Sequence, residues 1–180
     1  MYKRVLILSS YIFISVTIIA QTQYNAKKIS FRVKRLSSKL SQFDKVTGER
    51  IGKSATVSEQ YQIFQKITDH ATENELYELT NHPNPIVRAY ALTGLSYMNS
   101  SKTLDVLSKN KNDTAIIKEQ FGCIGSHNTV IGYMLILTKN YIKKNNIQLT
   151  QEQKDLFDYI ETTIENWRVR FRKTPSQSDE

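Results

Sequence analysis

The sequence predicts an all-α domain, a short solenoid or bundle of helix pairs, behind an N-terminal export signal. Three observations point to it. Hydroxyl residues are followed three positions later by Glu or Gln at several sites, apolar residues recur at helical spacing, and two prolines punctuate one junction between stripes.

The start of the chain is Met1-Tyr-Lys3-Arg4, then an apolar run from Val5 to Ala20, then Gln21-Thr-Gln23. A basic start, an apolar middle and a small residue before a polar stretch form an export signal, with cleavage expected after Ala20. Ser9, Ser10, Ser15 and Thr17 dilute the run, which falls short of the roughly 20 apolar residues of a spanning helix. The expected organisation is a signal peptide at 1–20, a basic segment at 21–54, a helical domain at 55–173 and a disordered tail at 174–180. The expected location is secreted or periplasmic, with no transmembrane segment once the signal is removed.

The chain has 180 residues and a formal net charge of +8. Loss of Lys3 and Arg4 with the signal lowers that charge by two. A basic balance ordinarily suggests nucleic acid, but export removes that partner and favours anionic lipid, envelope polymer or an acidic protein. Cys123 is the only cysteine, so no intramolecular disulfide can form and an ordinary apolar core must hold the fold.

The capping pairs are Thr56 with Glu59, Thr72 with Glu75 and Thr150 with Gln153. The first opens a helix carrying Val57, Tyr61, Phe64 and Ile67. The second opens a short helix with Leu76 and Leu79, which stops at His82-Pro83-Asn84-Pro85 because proline cannot continue it. Pro85 then starts a helix with Val87, Ala91, Leu95 and Met98, and a shorter one follows near 102–108. A long apolar helix is expected over about 128–143, and the last helix places Leu156, Ile160, Ile164, Trp167 and Phe171 on one stripe. Further upstream, Ile29, Val33, Leu36, Leu40 and Phe43 form a helical stripe, although Ile29 to Val33 also alternates like a strand. The segment 45–53, with two glycines, reads as a loop.

A shift of 28 residues lays Leu76 and Leu79 over Leu104 and Leu107, Asn84 over Asn112 and Gly94 over Gly122. The stretch Leu76-x-x-Leu79 followed by Asn81-His-Pro-Asn-Pro-Ile-Val-Arg-Ala-Tyr-Ala-Leu-Thr-Gly-Leu95 resembles a HEAT-type helical repeat. Val87, Arg88, Ala91 and Leu95 match its spacing, while Asn84 stands where the family often has Asp. The resemblance implies an α-solenoid fragment and a role in binding an unknown protein partner, not a reaction.

The residues expected to form that contact surface are His82, Asn84 and Arg88 at the repeat turn, with Tyr90 and Tyr97. A second candidate is the basic stripe Lys28, Arg32, Arg35 and Lys39, which could lie on an anionic envelope surface. Its plainer reading is a helix packed by its apolar stripe, with the cations in solvent. The segment from Gly48 to Ser54 lacks the spacing and preceding strand of a phosphate-binding loop. Cys123 and His127 sit in a glycine-rich stretch before a helix, where a nucleophile and base are conceivable. That stretch reads more simply as a turn with Ser126 or Asn128 capping the helix and Cys123 buried. No cofactor, metal set or enzymatic activity is expected.

Overall fold

The computed structural model describes residues 23–173, and the expected signal and the tail lie outside them. The fold is α/β, with a four-stranded mixed sheet among the helices. This overturns the all-α solenoid.

After a single 3-10 turn at Ala26–Lys28, helix α1 spans Phe31–Leu40 and strand β1 spans Lys45–Ile51. The two-residue strand β2 (Thr56–Val57) precedes α2 (Glu59–Thr68), α3 (Glu73–Leu79), α4 (Pro85–Tyr97) and α5 (Lys102–Lys109). Strands β3 (Ile116–Gly122) and β4 (Ile124–Thr129) form a hairpin. Helices α6 (Val130–Lys144) and α7 (Gln151–Lys173) complete the described chain. The sheet order is β2-β1-β3-β4, with β1 parallel to β3 and the other pairs antiparallel.

The core is built around α4. Pro85 occupies its first turn, and the Asn84 side chain accepts from the N–H groups of Ile86 and Val87. Its residues Ile86, Val87, Ala89, Tyr90, Ala91, Leu92, Thr93, Gly94 and Leu95 are all buried, as expected of a helix enclosed on every side. Helices α3, α5 and α6 and strand β1 pack around it.

The helix signals locate the helices well, with local corrections. The capping box of Thr72 and Glu75 forms in full, and Thr150 and Gln153 exchange reciprocal bonds at the start of α7. Thr56 caps nothing, because it lies in β2. Helix α2 is capped instead by Ser58, which accepts from the Tyr61 N–H.

The HEAT-like repeat fails at its second copy. The α3–α4 pair exists, but α5 is followed by the β3–β4 hairpin and not by a second long helix. Ile117 is buried while its neighbours Ile116 and Lys118 are exposed, the alternation of a strand with one covered face. Gly94 sits inside α4 against Leu76, whereas Gly122 turns the hairpin with φ +58°. The matching glycines therefore do unrelated work. The expected loop at 45–53 is likewise corrected, since most of it is β1.

Candidate functional site

Two carboxylates on α3 fasten the entering chain to the body. Glu78 accepts the Asn25 N–H at 2.6 Å and pairs with the Lys28 ammonium at 3.3 Å. Glu75 accepts the Ser30 N–H at 2.7 Å with one oxygen, and the Thr72 N–H at 2.8 Å with the other. Burial alone would raise the Glu75 carboxyl, but the hydrogen bonds from Thr72 and Ser30 outweigh it and hold its pKa at about 2. These bonds set where α1 begins and hence which face it buries.

Helix α1 buries Val33, Leu36, Ser37 and Leu40. Its opposite side exposes Arg32, Arg35 and Lys39, and none of the three makes an ion pair among the described residues. No Asp or Glu occurs between Asn25 and Phe43. Lys28 continues the stripe onto the preceding turn but is partly neutralised by Glu78. Phe31, one helical turn ahead of Arg35, is 79% exposed. It falls outside the apolar spacing of Ile29, Val33, Leu36 and Leu40, and that mismatch was the signal in the sequence that it belongs to the outer face.

An open groove of about 580 Å³ runs beside this segment, lined by Lys28, Asn74, Tyr77, Glu78 and Lys109 among others. The Lys109 ammonium lies 4.4 Å from the centre of the Tyr77 ring. Burial pushes Lys109 below the usual lysine value. The Tyr77 hydroxyl donates to Asp105, which, with burial, raises the phenol to about 12. Acids and cations alternate here, so the groove has no strong preference for one sign of charge.

The residues expected to contact a partner through the repeat turn serve mainly within the fold. His82 accepts the Asn84 N–H on Nδ1 and meets the Tyr24 ring edge-on at 4.8 Å. Asn84 spends its oxygen on the α4 cap and donates its amide to the Ser41 carbonyl. Arg88 forms a forked pair with Asp113, at 2.7 and 3.0 Å, and donates to the carbonyls of His82 and Pro83. Tyr90 is 2% exposed. Only Tyr97 stands out, with Met98 beside it.

The stretch from Gly122 to Thr129 is not a turn leading into a helix, as the sequence suggested. Gly122 and Cys123 form a two-residue hairpin loop with glycine first, and Cys123 is exposed rather than buried. Thr129, not Ser126 or Asn128, caps α6 by accepting the Gly132 N–H. Cys123 thus lies away from the helix start, with the whole of β4 between it and α6. Among the described residues, no three His, Cys, Asp or Glu side chains are grouped to hold a metal. No described helix is long and apolar enough to cross a membrane. Set against known protein families, curated proteins and solved structures, the chain matches none.

Proposed function

We propose that this is a non-catalytic, exported protein that associates with the cell envelope by docking the basic face of α1 on an anionic lipid surface. The observation that carries the reading is the run from Asn25 to Phe43. It holds six cations and no acid, and it exposes Arg32, Arg35 and Lys39 beside the protruding ring of Phe31. The apolar stripe of α1 is buried in the core, so attachment is electrostatic, with Phe31 as a single apolar wedge.

Co-sedimentation with phosphatidylglycerol vesicles at low and high salt tests the proposal. Each cation near such a surface contributes about 1 kcal/mol, so replacing all of Arg32, Arg35 and Lys39 with Glu should weaken binding by about 100-fold or more. Binding should also fall with salt and be absent on phosphatidylcholine. Equal binding to both lipids, or no effect of the triple reversal, refutes it. Binding to soluble polyphosphate without binding to vesicles would assign the face to a polymer and reject the lipid.

A further inference from the structure

Two turns meet at one end of the sheet. The turn after β1 is joined to the β3–β4 hairpin by the Gly52 N–H, which donates to the Gly122 carbonyl at 2.9 Å. The hairpin loop, Gly122 and Cys123, leaves Phe121 and Ile124 as the cross-strand pair next to the turn. Paired residues share a face of the sheet, so these two side chains stand together. Gly48 lies against the Phe121 ring, and a Cβ there would come within 3.2 Å of its Cδ1. The missing side chain of Gly48 gives the ring its seat on β1. Both apolar side chains nevertheless remain in solvent. Phe121 is 46% exposed and Ile124 is 74% exposed, second only to Phe31 among the large apolar residues described. Every residue from 121 to 127 is exposed.

The charges around this end are one-sided. In the two segments that build it, 50–56 and 120–129, the formal charges are Arg50 and Lys53 alone. Neither makes an ion pair among the described residues. Glu119, the acid of the hairpin, is engaged by the Ser126 hydroxyl at 3.0 Å and the Asn128 amide at 3.1 Å. An apolar tip flanked by unpaired cations matches the layering of an anionic bilayer, where charged headgroups lie outside the hydrocarbon. An apolar pocket on a protein would take Phe121 and Ile124 but offer Arg50 and Lys53 no counter-charge. A second copy docked tip to tip would set like charges together.

We propose that this end of the sheet is a membrane-insertion tip. Phe121 and Ile124 enter the hydrocarbon boundary of an anionic bilayer while Arg50 and Lys53 hold its headgroups. The choice of lipid rests on the role proposed for α1, but the tip adds an apolar contact to the electrostatic one made there.

Cys123 supplies the test, because it is the only cysteine and lies exposed at the tip. The exported chain is labelled there with an environment-sensitive fluorophore and mixed with phosphatidylglycerol vesicles. The expected result is a blue shift with brighter emission, quenched by nitroxide groups on the lipid acyl chains. In unlabelled protein, Ile124→Ser should weaken vesicle co-sedimentation about tenfold, the factor expected from losing burial of one such side chain. Its salt dependence should be unchanged, and because Ile124 is exposed the variant should keep the parent circular dichroism. Co-sedimentation with no shift at Cys123, or undiminished binding by Ile124→Ser, would overturn the tip and leave α1 standing. A shift that persists while reversal of Arg32, Arg35 and Lys39 has no effect on binding would uphold the tip and refute α1. No binding to vesicles at all refutes both. A shift that grows with protein concentration in the absence of vesicles would give the tip to a second copy and overturn the proposal.

Discussion

The hydroxyl of Tyr90 accepts the Thr47 N–H at 2.8 Å and donates to the Thr47 carbonyl at 3.1 Å. One side-chain oxygen of α4 thus substitutes for a neighbouring strand where β2 does not reach. The Thr47 hydroxyl continues the network to Ser58 at 2.6 Å, and the Phe64 ring stacks on Tyr90 at 4.9 Å. Tyr90→Phe keeps the ring but takes from the Thr47 backbone N–H and carbonyl the hydroxyl that meets both, while the Thr47 hydroxyl keeps Ser58. The expected cost is about 1–3 kcal/mol, read as a lower urea midpoint with an unchanged slope. A Tyr90→Phe variant as stable as the parent would show that water replaces the hydroxyl.

Glu75 makes stability depend on acid. Its folded pKa, about 2, lies below the ordinary carboxyl value of 4.5, so the ionised carboxylate favours the folded state. Its full contribution is present above pH 4.5 and is lost as the pH falls toward 2. The carboxylate is buried, and the shift corresponds to at most about 3 kcal/mol. In Glu75→Gln the fall in unfolding free energy between these limits should shrink by most of that amount. An unchanged pH profile in the variant would remove Glu75 from the account.

Gly132 in α6 should reverse a familiar rule. Replacing glycine by alanine inside a helix usually gains up to about 1 kcal/mol. Here a Cβ would lie 2.2 Å from the Asn128 Oδ1 and 3.0 Å from the Thr129 Oγ1. Asn128 is not free to step aside, because it accepts the Thr129 N–H and donates to Glu119. Gly132→Ala should therefore destabilise by about 1–3 kcal/mol, measured by thermal or urea unfolding. A stabilised variant would mean that the hairpin-to-helix junction is looser than its hydrogen bonds imply.

The helices were legible because their causes are local. Thr72 and Glu75 lie three residues apart, Asn84 and Pro85 announce α4, and the Leu156, Ile160 and Ile164 spacing marks α7. The strands were hidden because their causes are distant. In β1, Val46 and Ile51 are the only large apolar residues, with Gly48 between them, so no alternation shows. What makes this segment a strand is β3 on one side and Tyr90 on the other, neither of them close in sequence. The coincidence of Gly94 with Gly122 under a 28-residue shift then disguised β3 as a worn repeat. Of the candidate site, the exposed cations Arg32, Arg35 and Lys39 could be read from spacing. The pairing of Lys28 with Glu78, and the use of Arg88 to hold Asp113, needed the tertiary arrangement.

The parallel pairing of β1 with β3 also sets an order of events. Lys45 and Gln120 are hydrogen bonded across the sheet but stand 75 residues apart in the chain. Closing that loop orders the whole run from α2 to α5, and the entropy is lost before the contact is gained. The β3–β4 hairpin can form early from local contacts, but two strands alone are marginal in water. The joining of β1 to β3 is therefore expected to come late in folding, after the helices between them are ordered. The sheet has no separate existence from the helices threaded between its two central strands.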